Sequence, residues 1–530
     1  MLSERTIING LITTAGLILG PYLVISMLEA NQWPLLIFGG SAFLLFVFFV
    51  VREATCLLPL VGLAFIGKLR FLPLDFSTVD VFNLVVILYY CITYLGLKQR
   101  KINGGPPHLL IPIIIIVAIV VYHDHKFGLH VMGGAQEGSR PGLFIIIAIA
   151  TYICGINIST PSIVSLRRLP WYCVFITFLS TVPFLLTTRF PSLTPLMYHF
   201  TDAVNTDAYF ASNAAGTLED AGVGRAGFTA GIGAVTQVFL ISYFPIYTWW
   251  RPDRWFVAIL SILCFILVVS GGYRSGLMLF FFVTFVGGWC YISWRILVVV
   301  PLVIIGACGL SMVQENHPWG IELPTIAQRS LSFLPGNWDE AAVENASSSN
   351  DFRNNIQRVY MRDDMYKSPW IGNGFTFDAG EAQALGDMAE KHDTFDRYYQ
   401  ARAFIYTKTF HIGWISLYDA VGLIGCAAFI FLGLSMLWMA GLWSFILNTG
   451  LDRSSPLFPL KVWLFCNISQ SLFGYFTVFG NFSTTLPSLC VYAIVVVHLN
   501  KIEAEDSLRD HALTHRKPSD HIRAGRLFPA

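Results

Sequence analysis

Residues 255–292 read WFVAILSILCFILVVSGGYRSGLMLFFFVTFVGGWCYI. Two apolar runs flank a short turn over 270–276, and Arg274 is the only charged residue of the segment. An α-helix rises about 1.5 Å per residue, and the hydrocarbon core of a bilayer is about 30 Å thick. The pattern therefore predicts two membrane-spanning helices joined by a tight turn, with one arginine at the membrane boundary.

The same apolar character extends over the whole chain. Of its 530 residues, 55% are apolar and 13% are charged, whereas soluble proteins carry about 25% charged residues. Lys and Arg number 34, against 33 for Asp and Glu, and this balance gives no sign of nucleic-acid binding. The composition predicts an all-α polytopic membrane protein and excludes an ordinary soluble enzyme.

Apolar stretches of spanning length recur along the chain and predict about 12–14 transmembrane helices. We expect an N-terminal transmembrane bundle of about 11 helices over 1–312, a large loop over 313–413, C-terminal transmembrane helices over 414–499 and a basic tail over 500–530. The predicted spans are 7–28, 34–51, 56–73, 79–97, 108–122, 142–158, 169–187, 228–250, 255–272, 275–293, 295–312, 414–446, 456–480 and 484–499.

Lys and Arg residues indicate the orientation, because short cytoplasmic loops retain them. If the N-terminus is cytoplasmic, every second connection is basic. These connections carry Arg52, Lys98, Arg100, Lys101, Arg167, Arg168, Arg251, Arg254, Arg295, Arg453 and Lys461. We therefore expect both termini in the cytoplasm, the 313–413 loop on the external face, and the basic tail against anionic lipid.

Two arginines stand at the external membrane boundary in this scheme. Arg274 lies in the tight turn, and Arg225 lies just before a predicted helix start, where free backbone N–H groups favour an anion. Arginine binds phosphate through a bidentate fork and keeps its charge, so a phosphate site is one interpretation. The alternatives are a snorkelling side chain for Arg274 and an ordinary loop cation for Arg225.

The large loop contains a predicted helix and ends on a histidine. A Ser- and Asn-rich breaker over 345–351 precedes a helix over 352–367, which Ser368 and Pro369 end. His411 stands where the chain re-enters the membrane. An imidazole at this boundary either accepts a proton from a sugar hydroxyl or has a structural role.

Three short motifs follow one another between residues 222 and 425. They are an arginine turn, a Ser-Pro-apolar-Gly-x-Gly step behind a basic helix, and a loop-closing histidine followed by a glycine-containing apolar helix. Their residues are Arg274 with 225–228, 367–375 with Arg353, Arg358 and Arg362, and 411–425. In order, spacing and membrane side, they resemble the O-antigen ligase and polymerase family of bacterial envelope glycosyltransferases.

That resemblance implies a GT-C-like fold in the bacterial cytoplasmic membrane, with the large loop periplasmic. It implies an inverting glycosyl transfer that uses no metal and no cofactor. The donor would be a glycan on undecaprenyl pyrophosphate, and the acceptor would be a hydroxyl of another glycan or of a lipid A core. Membrane lipid and a chain-length regulator or flippase of the same pathway are the other implied partners, and no nucleic acid is involved.

The resemblance also implies a role for each candidate residue. Arg274 would stabilise the charge that develops on the leaving pyrophosphate, and His411 would accept the acceptor's proton. The implied pyrophosphate-binding residues are Arg225, Arg274, Arg353 and Arg358, and the implied sugar-binding residues are Trp370 and Tyr366.

Three functions stay open from the sequence: a polymerase, which we favour because it requires no lipopolysaccharide core, a ligase, and a polysaccharide or lipid transporter. Transporters place charges and broken helices at the bilayer midplane, whereas the distinctive cations here are predicted at the external boundary. His123, His125 and His130 could bind zinc, but no matching ligand pair follows, so we expect an exposed turn. We interpret Asp363 and Asp364 as helix-surface charges.

Overall fold

The computed structural model describes most of the chain after residue 51. The described residues are 52–65, 77–95, 104–127, 136–137, 139–198, 227–249, 251–298, 323, 325–333, 338–375, 377–391, 396–408, 410, 412–449, 452–477 and 480–514. The chain divides into two compact units, Met1–Thr55 and Cys56–Ala530. A 3-10 helix over Arg52–Leu57 is the first described element, and all helices and strands after it belong to the second unit. The predicted spans 7–28 and 34–51, and residues 299–312 of the predicted span 295–312, lie outside the described residues.

The second unit is built from α-helices. Its first helices are α1 (Leu58–Ala64), α2 (Thr78–Tyr90), α3 (Pro107–Phe127), α4 (Ser139–Asn157), α5 (Ile163–Arg189), α6 (Thr194–Tyr198), α7 (Gly227–Tyr243), α8 (Trp255–Ser270) and α9 (Arg274–Ile292). The later helices are α10 (Thr325–Leu331), α11 (Glu340–Asp363), α12 (Ala379–Lys391), α13 (Asp396–Tyr406), α14 (Gly413–Met439), α15 (Leu442–Leu447), α16 (Phe458–Thr477) and α17 (Phe482–Thr514). Two strands of two residues, β1 (Gln136–Glu137) and β2 (Phe377–Asp378), pair antiparallel.

Several of these helices are long and apolar enough to cross a membrane. In the described part of the chain they are Ile163–Arg189, Pro252–Ser270, Arg274–Ile292, Gly413–Met439 and Phe482–Asp506. Shorter apolar helices are Ala54–Ala64, Thr78–Thr93, Pro107–His123, Pro141–Asn157 and Thr229–Tyr243. The predicted all-α membrane architecture is confirmed at this level.

The surface of α8 shows why water cannot be its solvent. Ile259, Ile262 and Ile266 are spaced by three and four residues, which places them on one helix face, and all three are exposed. Val257 and Val268 are buried on the side that packs on the protein. A soluble protein would turn such an apolar stripe inward, so this exposed face is suited to lipid.

The segments between 323 and 410 form a cap on one end of the bundle. Ser330 of α10 donates a hydrogen bond to the Val269 carbonyl at 3.0 Å, at the last turn of α8. Arg254 precedes the first turn of the same helix. The cap and this basic connection therefore lie at opposite ends of α8, as the charge distribution predicts.

Helix α14 is interrupted at Gly422, whose backbone angles are φ 62° and ψ −167°. The break frees backbone groups that would otherwise bond within the helix, and the loop over 368–374 bonds to them instead. The N–H groups of Leu423 and Ile424 donate to the carbonyls of Pro369 (2.9 Å) and Trp370 (3.0 Å), and the Asn373 N–H donates to the Asp419 carbonyl (2.5 Å).

Glycines permit this loop to dock on the helix. A Cβ atom at Gly422 would lie 2.4 Å from the Ile371 nitrogen, and one at Gly372 would lie 2.6 Å from the Asp419 carbonyl oxygen. Both glycines also have a positive φ angle, which residues with a Cβ atom rarely adopt. The Gly-x-Gly step thus has a structural purpose, which is to insert the cap loop into the broken helix.

Two sequence predictions about helix boundaries were wrong. The predicted breaker over 345–351 lies inside α11, because the helix is capped earlier, where the Asp339 side chain accepts a hydrogen bond from the Ala341 N–H at 3.2 Å. Ala342 and Ala346 are then buried, and α11 packs on α10 and α13. The last predicted span, 484–499, continues as helix to Thr514, so half of the predicted tail extends α17.

Candidate functional site

Arg274 is the first residue of α9 and reaches from the membrane helices into the cap. Its Nη2 donates hydrogen bonds to the Ala346 carbonyl at 2.6 Å and to Asn350 Oδ1 at 3.2 Å. Both acceptors are uncharged, so no described carboxylate pairs with this guanidinium. The helix dipole places additional partial positive charge at the same point.

One face of α11 connects Arg274 with α14. Ala346, Arg353 and Tyr360 are seven residues apart, which is about two helical turns, so they lie on the same face. Arg353 is close enough to Arg274 for the two charges to repel each other. Tyr360 donates a hydrogen bond to Asp419 Oδ1 at 3.3 Å. Arg353 and Tyr360 are about 10 Å apart along the helix axis.

The other predicted pyrophosphate ligands have different positions. Arg358 follows Arg353 by five residues, which is a turn of about 140° around the helix, and it is exposed in a surface groove with Asn354 and Arg362. The structure thus brings Arg353 to Arg274 and leaves Arg358 on another face. Arg225 and His411 lie outside the described residues, so their roles stay predictions.

A buried carboxylate, Asp419, lies beside the break in α14. Its side chain is 2% exposed and accepts hydrogen bonds from Lys408 Nζ at 2.6 Å, from Asn373 Nδ2 at 2.8 Å and from the Tyr360 hydroxyl. Burial, together with the charge of Asp419, raises the pKa of Tyr360 well above its ordinary value. The phenol therefore stays protonated and acts as a hydrogen-bond donor.

A second buried carboxylate, Asp364, lies at the end of α11. It accepts hydrogen bonds from Lys367 Nζ at 2.5 Å and from Arg402 Nη1. Its burial contradicts the interpretation of Asp364 as a helix-surface charge, and the reason is that α13 packs on α11 and brings Arg402 to it. Asp363 does carry a more superficial pair, with Arg362 at 2.7 Å, and this hydrogen bond lowers the pKa of Asp363 to about 2.

These two clusters border one cavity of about 270 Å³ between the cap and α14. Its wall contains three carboxylates and three cations, so its formal charge is zero, and the Tyr406 hydroxyl donates to Glu381 Oε2 at 2.6 Å. We call it the cap cavity. Its lining residues are Asp364, Lys367, Asn373, Phe377, Glu381, Arg402, Ile405, Tyr406, Lys408 and Asp419.

The predicted sugar-binding aromatics are not part of the cap cavity. Trp370 and Tyr366 are 65% and 78% exposed, and neither lines it. Trp370 is instead held through its carbonyl at the break in α14. This placement makes the two side chains surface residues beside the cavity.

The expectation of an exposed histidine turn at 123–130 was wrong for His123. This residue belongs to α3, is 5% exposed, and its Nε2 lies 2.9 Å from the Ile371 carbonyl oxygen. It is buried because α14 and the docked loop pack on α3. Within the described residues, no group of three His, Cys, Asp or Glu side chains could hold a metal ion.

Sequence reasoning missed the Lys408–Asp419 pair. Asp419 lies within the 411–425 motif and is the only charged residue in the apolar run 412–439. An ionisable residue within a membrane-spanning segment usually has a functional or structural partner. That signal could have identified Asp419, but nothing in the sequence indicates that its partners come from three separate cap segments.

Comparison with known proteins gives no assignment: no protein-family model matches the chain, and no curated protein matches it.

Proposed function

We propose that this protein is a membrane glycosyltransferase that moves a glycan from undecaprenyl pyrophosphate to a sugar hydroxyl. A polymerase, with a second lipid-linked glycan as acceptor, is the favoured form, and a ligase that uses a lipid A core is the alternative. The observation that supports this most is the position of Arg274 at the start of α9, where its described acceptors are uncharged and the charge of Arg353 acts on it. A pyrophosphate would be attracted to this concentration of positive charge.

The direction of α11 supports the same function. A pyrophosphate at Arg274 and Arg353 would lie on the same face of α11 as Tyr360, whose buried hydroxyl donates to the cavity-lining Asp419. Lys408, which lines that cavity, precedes His411 by three residues. The proposed phosphate-binding residue Arg353 and the tyrosine that bonds to the cavity wall are thus about 10 Å apart along one helix face.

The proposed reaction is a single displacement at the anomeric carbon. The acceptor oxygen forms a bond to that carbon, and the bond between the carbon and the pyrophosphate oxygen breaks with its electron pair going to the pyrophosphate. The acceptor's proton passes to the His411 imidazole. Arg274 and Arg353 stabilise the negative charge of the leaving group, and attack from the opposite side inverts the anomeric configuration.

The test uses the full-length protein in nanodiscs with an undecaprenyl-pyrophosphate-linked oligosaccharide and EDTA. We expect Arg274→Gln to lower the rate of transfer by about 100-fold, because it removes a charged donor to the leaving group. Arg274→Lys should retain more activity, since it keeps the charge. Arg251→Gln, at the opposite end of the bundle, is the matched control and should transfer at the wild-type rate.

The product of the reaction distinguishes a polymerase from a ligase. A ladder of longer lipid-linked glycans identifies a polymerase, whereas transfer that requires an added lipid A core identifies a ligase. Wild-type rates in Arg274→Gln, with correct membrane insertion, would remove the phosphate-binding role from this arginine and with it the main support for the proposal.

A lipid or polysaccharide transporter is the second candidate, and the break in α14 is the observation that favours it. Transporters build their sites on discontinuous helices and use ionisable residues within membrane segments. Gly422 and Asp419 combine these two features in α14. The discriminating measurement is the leaflet in which a fluorescent undecaprenyl-pyrophosphate-linked glycan resides in proteoliposomes. Movement between leaflets without glycan lengthening would favour the transporter.

A further inference from the structure

The cap cavity has features that the proposed phosphate site does not use. We infer that it binds one uncharged sugar residue, an inference that rests on the proposed function for the glycan to which that sugar belongs. Four properties of the cavity carry the argument: its charge balance, its hydrogen-bonding groups, its aromatic walls and its size.

The charge balance of the cavity favours an uncharged ligand over a charged one. Each cation of the wall is already paired with a carboxylate: Lys408 with Asp419, and both Lys367 and Arg402 with Asp364. A uronic acid would have to compete with these carboxylates, and an amino sugar at Asp364 or Asp419 would have to compete with the cations. An uncharged ligand leaves all of the pairs intact.

The same side chains keep hydrogen-bonding capacity for hydroxyl groups. An ionised carboxylate offers about four lone-pair positions. Asp364 accepts two hydrogen bonds from its cations and so retains positions for sugar hydroxyls, and Glu381 adds a second carboxylate to the same wall. Lys367 has a side chain that is 58% exposed, and its ammonium group has three donors. A polyhydroxylated ligand matches this mixture of fixed acceptors and donors.

Two aromatic rings give the cavity an apolar wall. Phe377 and Tyr406 meet edge to face, with ring centroids 6.3 Å apart and planes at 73°. Phe377 is fixed by the short pairing between β1 and β2, and Tyr406 is fixed by its bond to Glu381. An aromatic ring can pack on the C–H side of a sugar, and these two rings share a wall with the carboxylates, which can accept from its hydroxyls.

The size of the cavity limits the ligand to one residue of a glycan. Its volume is about 270 Å³, and pockets for drug-sized ligands range from about 300 to 1,000 Å³. The source of the sugar is either the donor chain, whose pyrophosphate would lie toward Arg353, or the acceptor chain. Both sources share the same chemistry, and enzyme kinetics separates them.

Direct binding tests the inference without requiring transfer. Saturation-transfer-difference NMR on the full-length protein in nanodiscs would use uncharged methyl glycosides of glucose, galactose, mannose, rhamnose and N-acetylglucosamine, with methyl glucuronide and methyl glucosaminide as charged probes. We expect at least one uncharged glycoside to bind more tightly than both charged probes. Tyr406→Ala and Phe377→Leu should each weaken that binding about tenfold, which is the loss of roughly one good contact.

Tyr247→Ala removes an exposed aromatic outside the cap and is the matched control, so it should bind as the wild type does. Thermal unfolding of all variants establishes that they are folded. The inference is overturned if no uncharged glycoside binds, if a charged probe binds more tightly, or if binding survives both cavity substitutions.

Kinetics then identifies the source of the sugar. If the cavity takes a donor residue, Tyr406→Ala raises the KM for the lipid-linked donor; if it takes an acceptor residue, the KM for the acceptor rises instead. An unchanged KM for both substrates overturns the inference even when transfer is intact. Glycoside binding that depends on Tyr406, combined with no transfer from any lipid-linked donor, keeps the inference and contradicts the proposed function.

Discussion

Replacing Lys408 by Met would leave the buried Asp419 carboxylate without its cation. Removing one partner of a buried ion pair costs about 3–5 kcal/mol. Asp419 is 2% exposed and keeps its hydrogen bonds from Asn373 and Tyr360, which places the expected loss near the lower end, at about 3 kcal/mol. Lys408 has a positive φ of 59°, and Met preserves both the Cβ atom and the chain length, so the comparison isolates the charge.

The assay is the free energy of unfolding, measured by SDS titration in mixed micelles. Lys461→Met is the matched control, because its partner Glu503 is 37% exposed, and it should cost no more than about 1 kcal/mol. The double variant Lys408→Met with Asp419→Asn removes the unpaired charge and should return to within about 1 kcal/mol of the wild type. Equal losses for Lys408→Met and Lys461→Met, or no rescue in the double variant, would show that the buried charge of Asp419 does not set this cost.

Three other outcomes follow from the same geometry. Gly422→Ala should destabilise the protein by more than about 2 kcal/mol, because the new Cβ would lie 2.4 Å from a backbone nitrogen at a positive φ, whereas Gly276→Ala meets only an ordinary contact at 3.4 Å; unfolding free energies compare the two. Tyr360→Phe should lower the free energy of unfolding by roughly 1 kcal/mol from about pH 6 to about pH 9. The pKa of Tyr360 is raised in the folded protein, so the stabilisation by its hydroxyl is complete below the ordinary tyrosine pKa. It is lost only as the pH rises from that ordinary pKa through the folded-state pKa. Arg353→Gln should lower kcat/KM for the lipid-linked donor about tenfold more than Arg358→Gln, since only the former faces the arginine of α9; equal losses in steady-state kinetics would contradict this assignment.

Periodicity and hydropathy identified the helices whose apolar surface extends along their whole length. The segment 255–292 is the clearest case: the predicted pair of helices ends and begins within two residues of α8 and α9. Such segments are decided locally, by the cost of leaving backbone polar groups unpaired in hydrocarbon. The breaker predicted over 345–351 failed for the opposite reason. Its Ser and Asn residues disfavour a helix locally, but packing of Ala346 and the bond from Arg274 stabilise one.

The sequence identified a residue of the candidate site only where that residue differs from its surroundings, as a charge in an apolar segment does. Arg274 stands out because a charge inside an apolar segment needs a partner, and the structure gives it a partner in the cap. Lys408, Asp364 and Arg402 lie in polar sequence where charged residues are common, so nothing distinguishes them before folding. Their pairing across 11 to 38 residues depends on how the cap helices pack, which a single sequence does not encode in a readable pattern.

Mass spectrometry of the lipid products would measure directly whether the chain transfers a glycan. Purified wild-type protein in nanodiscs would be incubated with an undecaprenyl-pyrophosphate-linked oligosaccharide under EDTA, with a second lipid-linked glycan or a lipid A core as acceptor. We predict release of free undecaprenyl pyrophosphate in equal amount to the new glycosidic bonds, with inverted anomeric configuration in the product. A donor lipid that remains intact with every acceptor, from protein that is folded and inserted, would contradict the account.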